Sequence, residues 1–563
     1  MTHLAAAVAR ELADGGVRQA FGVVGGGNIM TVACLTDHGV RYIAARHEGG
    51  AMAMADAFHR TTGDVAVCTT THGAGLTNAA TSLGEAVKHR SGVLLVCGDA
   101  PAAGPRVVDI DQVAFAESLG AAAFRVTGPE NARETTVRAL AAARSGAGPA
   151  VLCLPGDLLK EAVPARSAPA WTGQAEAAAR STVPAELDAV VGLLASARRP
   201  LVLGGLGAWR SGAGKVLHEL AEQTGALVAT TAMANGLFAG HRWSVGICGG
   251  FSSPVAAELI GEADLVLAFG ASLDTFTLHG GRLLDPAATV VRIDLAPRAA
   301  VDRVDLDIRA DAAAAAAALL DGVDAIGLAP TGWREAARER LAGVHWAAEP
   351  YRDVSSASRI DPRTLTRAIA GHLPPEWTLV LDGGQNIAWP SMYWPVPDPA
   401  AMVFMGSAFQ AIGLGLAGAV GAAAGREDRT TVAVLGDGGG LMGLPELETL
   451  IRTARSALVV VYDDAAYGFE VHMYGAKTGG WRGRGTRRGL ATAANPATTT
   501  FGDTDFAGVA RSLGAQAAVV RSPADLAVLS EWVAGGRRGT LVLDCKVVAE
   551  VVAPFLADLI AGH

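Results

Sequence analysis

The sequence is poor in charge and in aromatic side chains: of its 563 residues only 18% are Asp, Glu, Lys or Arg and 5% are Phe, Trp or Tyr, while 50% are apolar. A chain so apolar can bury a core, which excludes the disordered class. Lysine is scarcer still, with five (Lys88, Lys160, Lys215, Lys477, Lys546) among 46 cationic residues. Against 55 acidic residues this leaves a formal net charge of −9, with no dense basic run to offset it. That balance argues against nucleic acid or an anionic membrane as the main partner. The six cysteines are scattered in apolar settings, with no CxxC pair and no companion His at zinc spacing. They read as buried free thiols in a reducing, cytoplasmic setting. The first 16 residues carry Arg10, Glu11 and Asp14 at helical spacing and are expected to form an amphipathic helix rather than a secretory signal.

Glycine is the residue in excess. The 70 glycines are too many for helix or strand interiors and are expected in turns and close backbone contacts. Residues 408–425 match a membrane span in length, but they are built from Gly and Ala and contain Gln410, so a tightly packed core helix is expected. Elsewhere, strand-like apolar runs alternate with Ala-rich amphipathic segments, the pattern of parallel sheets covered by helices. The runs fall at 65–69, 93–97 and 150–154, then at 200–203, 227–230, 265–269 and 290–293, then at 378–381, 431–435, 458–462 and 540–543. Residues 161–184, rich in Ala, Pro and Ser, read as a linker. A helix over 312–320 and a polar stretch over 349–362 close the second unit. The predicted class is α/β, with three doubly wound parallel-sheet domains in series over residues 1–165, 185–345 and 360–563.

The third unit carries the most specific pattern. The run 431–435 leads into Gly436-Asp437-Gly438-Gly439-Gly440, an amphipathic segment follows, and the next run ends in Asp463-Asp464-Ala465-Ala466-Tyr467-Gly468. A strand-turn-helix-strand unit sets two strand C-termini side by side, where open α/β sheets bind ligands. Asp437 and Asp464, 27 residues apart, are then placed to share one hard cation through oxygen. The glycines let backbone N–H groups approach a diphosphate. Spacing alone leaves two ordinary turns with Asp as a cap as an equal alternative.

This unit resembles the thiamine-diphosphate motif of the acetolactate synthase and pyruvate decarboxylase superfamily, which begins GDG and ends about 27 residues later in Asn-Asn. Three further elements stand in the family's order. They are Phe21-Gly22-Val23-Val24-Gly25-Gly26-Gly27, Arg46-His47-Glu48-Gly49-Gly50-Ala51 and Thr71-His72-Gly73-Ala74-Gly75-Leu76-Thr77-Asn78. The resemblance covers nearly the whole chain and is closest to acetolactate synthase large subunits. It implies pyrimidine-binding, central and diphosphate-binding domains in that sequence, thiamine diphosphate and Mg²⁺ as cofactors, and a homodimer or homotetramer with active sites between subunits.

By the same resemblance, Glu48 is the catalytic glutamate that hydrogen-bonds N1′ of the aminopyrimidine, and His72 and Gln112 face the substrate. Metal ligation falls to Asp437, Asp464 and the main-chain carbonyl of Ala466. Ile412, in the Ala/Gly-rich helix, props the coenzyme in its bent shape. The remaining implied coenzyme contacts are Gly25, Gly26, Gly73, Gln385, Asn386, Gly406, Ser407, Gly436, Gly438, Gly439, Tyr467 and Gly468. Tyr467, Glu470, His472 and Met473 fall on a segment that covers the active site in acetolactate synthases.

The implied reaction is decarboxylation of a 2-oxo acid such as pyruvate, followed by transfer of the acyl unit to a second carbonyl acceptor. Gly26 favours ligation, because simple decarboxylases of the superfamily usually carry an acidic or hydroxyl side chain there. A specialised decarboxylase, lyase or acyltransferase is the alternative within enzymes, and a non-catalytic assembly partner is the alternative outside them.

Three features depart from the family pattern. Asp463-Asp464 replaces Asn-Asn, bringing negative charge that Mg²⁺ is expected to offset. Gly204-Gly205-Leu206-Gly207 resembles part of the FAD-binding middle domain, but 269–274 lacks the arginine of the usual flavin segment, so FAD is only weakly indicated. The Arg-rich segment 481–488 resembles nothing in the family and reads as a solvated loop.

Overall fold

The computed structural model describes residues 2–164, 184–297, 299–474 and 496–561; the middle of the expected linker and the whole Arg-rich segment lie outside the described residues. Three six-stranded sheets, parallel throughout, follow one another along the chain. The first runs Arg41–Ala44, Gln19–Gly22, Ala66–Thr70, Val93–Asp99, Ala150–Pro155, Ala122–Arg125 across its width. Numbered in chain order within the sheet, that is 2-1-3-4-6-5. The third sheet repeats this order with Met402–Met405, Trp377–Asp382, Thr430–Gly436, Ser456–Asp463, Gly539–Lys546 and Gln516–Val520. The central sheet has the order 3-2-1-4-5-6. In the first and third sheets the order reverses between strands 1 and 3, and ligands of open α/β sheets bind at the C-terminal ends there. Those ends are Gly22 and Thr70 in the first domain, and Asp382 and Gly436 in the third.

Inner strands such as Val93–Asp99 are buried along their whole length, which is why they are continuous apolar runs. An antiparallel pairing of Thr2–His3 with Ala162–Val163 brings the two ends of the first domain together. All six cysteines are buried free thiols.

The segment that imitates a membrane span divides in two. Only Gly415–Gly425 is helical, and residues 406–414 form a loop. Positive φ at Gly406, Gln410 and Gly413 (84°, 57° and 87°) is what breaks the expected helix. Ile412 therefore sits in the loop and not in mid-helix. The short helix packs against Glu48–Thr62 of the first domain, where a Cβ at Gly421 would collide with the Met54 carbonyl oxygen. This close approach lets one apolar core run through both domains. Among the described residues no helix is long and apolar enough to cross a membrane.

Candidate active site

Asp437 is the first residue of the helix Asp437–Met442, directly after the strand Thr430–Gly436. The neighbouring strand pairs Tyr462 with Gly436 and carries Asp464 just beyond its end. Burial, then repulsion from Asp464 and Asp463, pushes the Asp437 carboxyl up to about 9. Burial also raises Asp464, up to about 6, against a hydrogen bond from the Gln385 side-chain amide at 3.2 Å. Two carboxyls raised in this way, Asp437 buried and Asp464 half-buried, form a donor set that a hard cation would balance. Between them and the next helix the chain turns through Ala465, whose φ of 59° is left-handed.

A cavity of about 460 Å³ opens over this turn. Its lining includes Gln385, Asn386, Gly406, Ser407, Ile412, Gly436, Asp437, Gly438, Gly439, Asp464, Ala466, Tyr467 and Gly468. Every coenzyme or metal contact predicted from the third domain is thus brought together. Gly468 has to be small, since a Cβ there would strike the Asp464 carboxylate. Glu470 also lines the cavity, whereas His472 and Met473 are buried and do not.

The loop that carries Ile412 is tethered at both ends. Asp382, fully buried, accepts the Gly413 N–H at 3.0 Å and the Leu414 N–H at 3.2 Å. Burial raises the Asp382 carboxyl to about 6 despite these bonds. At the other end Glu85, from the first domain, accepts the Phe409 N–H at 2.7 Å. Arg60 balances Glu85 at 2.9 Å and Asp56 at 2.6 Å, all three being buried.

The first domain places its own predicted residues at its switch point. The His47 side chain caps the helix Glu48–Thr62, and the half-buried Glu48 accepts a hydrogen bond from Asn78 Nδ2 at 3.0 Å. The Gly25–Gly26–Gly27 turn rests on Thr71, beside His72, with the Gly27 N–H donating to Thr71 Oγ1 at 3.1 Å. Gly26 is exposed, and a Cβ there would meet no atom within 4 Å. Gln112 is placed differently from its predicted position facing substrate. It is buried, its Oε1 accepts the Gly73 N–H at 2.6 Å, and its Nε2 donates to the Gly98 carbonyl at 2.7 Å. An amide occupied at both ends positions the Gly73 loop. None of Gly25, Gly26, Glu48, His72, Gly73 and Gln112 lines the third-domain cavity.

Family models for thiamine pyrophosphate enzymes match all three domains in order: the N-terminal TPP-binding domain over residues 2–115, the central domain over 187–319 and the C-terminal TPP-binding domain over 382–545. The chain belongs to the thiamine-diphosphate-dependent enzymes. The acetolactate synthase isozyme 3 large subunit of Escherichia coli is 27% identical to it over 80% of each chain. The sulfoacetaldehyde acetyltransferase of Rhodobacter capsulatus is 27% identical over 96% of this chain and 94% of the relative. That of Castellaniella defragrans is 26% identical over 97% and 93%.

Within this thiamine-diphosphate-dependent fold the central glycine-rich turn is closed by the chain itself. The Gly205 N–H donates to the Phe269 carbonyl at 2.8 Å and the Gly207 N–H to the Gly270 carbonyl at 2.9 Å. Those donors are not free for a flavin diphosphate, and the weak sequence indication of FAD gains no support from them.

Sequence reasoning missed three charged residues that organise the site: Asp382, Glu446 and Lys546. Asp382 stands at the edge of a motif that was read for Gln385 and Asn386. Glu446 lies within the segment between Asp437 and Asp464 but was given no role, Lys546 belongs to no motif, and only the fold shows what they hold.

Proposed function

We propose that the protein is an acetolactate-synthase-like enzyme, which decarboxylates a 2-oxo acid, pyruvate foremost, and transfers the acyl unit to a second carbonyl acceptor. The observation that carries this reading is the Asp437–Asp464 pair lining a glycine-rich cavity at the switch point of a sheet. The residues fit the group. Two carboxylates and the Ala466 carbonyl are oxygen donors suited to Mg²⁺, and the glycines of the turn 436–439 line the cavity, where no side chain would keep a diphosphate from the backbone. Thiamine diphosphate, when bound, supplies the electron sink that decarboxylation of a 2-oxo acid requires.

The chain's own residues then divide the work. Glu48 holds a proton at N1′ of the aminopyrimidine, as a carboxyl within hydrogen-bond reach can. Ile412 fills space against the coenzyme from a loop fixed by Asp382 and Glu85. Gly26 leaves room for a second carbonyl and offers no side-chain proton, which favours ligation over protonation. His72, whose ring lies against Gly27, is the candidate for moving a proton on the substrate side.

Glu48 does not line the cavity of its own chain, in keeping with the inter-subunit site that the family resemblance implies, and a homodimer is the smallest active unit in this reading. Buried free cysteines support a cytoplasmic setting. An acyltransferase is the second reading, favoured by two acetyltransferase relatives that match nearly end to end. Mass spectrometry of products from pyruvate, with thiamine diphosphate and Mg²⁺, tests both. Acetolactate supports ligation, a product formed only with an added acceptor supports acyl transfer, and free acetaldehyde alone contradicts the leading reading.

A further inference from the structure

Asp463 adds a third carboxylate beside Asp437 and Asp464, and it is completely buried. It does not line the cavity. In the sheet it stands opposite Lys546, which is 4% exposed. Lys546 Nζ donates to Asp463 Oδ2 at 2.6 Å and to the Thr504 carbonyl at 2.6 Å, and lies 3.0 Å from Asp544 Oδ1. The other Asp463 oxygen accepts the Ala465 N–H at 3.0 Å, which turns the chain so that Asp464 faces the cavity. Arg359 closes the back of the turn, donating to the Asp463 carbonyl at 2.9 Å. An extra acid beside a cation and diphosphate site would ordinarily oppose the anion. Here Lys546, shared with Asp544, offsets part of that charge inside the protein.

We propose that Lys546 is a positioning residue of the diphosphate site: by pairing with Asp463 it holds that carboxylate out of the cavity and leaves Asp437 and Asp464 to face the cation. The proposal rests on the thiamine-diphosphate reading of this cavity. Removing the ammonium leaves Asp463 buried beside Asp437 without its cationic partner, where its charge opposes the anion or its side chain turns into the cavity. Removing both charges takes away the carboxylate beside the cation site and leaves only Asp544, on the far side of Lys546 from the proposed ligands, without its ammonium.

The test compares Lys546→Met, Asp463→Asn, the double variant and Lys546→Arg in the full chain. Binding of thiamine diphosphate with Mg²⁺ is measured by titration calorimetry, and thermal unfolding is recorded without cofactor. Lys546→Met is expected to weaken binding by about tenfold or more, while the double variant returns to within about threefold of wild type. Lys546→Arg is expected to bind better than Lys546→Met. Wild-type binding by Lys546→Met, or a double variant as weak as Lys546→Met, overturns the proposal. A wild type that binds no thiamine diphosphate overturns the functional reading instead. The pairing is then still read from cofactor-free unfolding, where strictly additive shifts in the double variant overturn it.

Discussion

Glu446 Oε1 accepts the backbone N–H of His47 at 2.9 Å, across 399 residues of sequence, and that of Arg46 at 3.0 Å. Its other oxygen takes the Thr449 hydroxyl at 2.7 Å. Glu446 is buried and sits in the helix Pro445–Thr453, just beyond the Gly436-Asp437-Gly438 turn, while His47 directly precedes Glu48. One carboxylate thus fixes the start of the glutamate-bearing helix to the cation-binding half of the chain. Glu446→Ala is expected to destabilise the protein by about 2 kcal/mol, read as an earlier urea transition. Turnover is expected to fall more than coenzyme affinity, because Glu48 is displaced while the cavity remains.

Ala465 takes a left-handed conformation, φ 59°, between Asp464 and Ala466. A Cβ in that region costs roughly 1 kcal/mol. Ala465→Gly is expected to raise the unfolding temperature while leaving Mg²⁺ affinity in place. A lower unfolding temperature would show that the turn is not strained.

Stability without cation is expected to fall as pH rises. Asp437 and Asp464 are raised to about 9 and about 6. Unfolded, both titrate near pH ~4, so between ~4 and ~9 the folded chain binds more protons than the unfolded one. The stabilising protons are fully present at the acidic end and are lost as pH passes first about 6 and then about 9. Mg²⁺ takes their place, so it should flatten the slope and bind more tightly as pH rises. Thermal unfolding from roughly pH 5 to 9, with and without Mg²⁺, checks this, and Asp437→Asn should reduce the cation-free slope.

The three-domain α/β order was legible because buried parallel strands are long apolar runs, and 227–230 and 265–269 were placed to the residue. Edge strands were not. Arg41–Ala44 and Ala122–Arg125 are short, partly exposed and carry arginine, so nothing in their composition marks them. Of the site, the diphosphate side was readable because its glycines and aspartates lie in contiguous motifs. The supporting residues escaped because their partners are distant in sequence: Glu446 with His47, Glu85 with Phe409, and Lys546 with Asp463. Ile412 was placed in a helix because composition does not reveal positive φ at Gly406, Gln410 and Gly413.

The central claim is a site made by Glu48 of one copy and the Asp437–Asp464 cavity of another, and subunit mixing addresses it most directly. Glu48→Gln and Asp437→Ala are each expected to be inactive with pyruvate under conditions where the wild type turns over. Mixed after unfolding and refolding together, random pairing gives heterodimers in which one of two sites carries both native residues, restoring about a quarter of wild-type activity. No recovery in verified heterodimers would contradict the account.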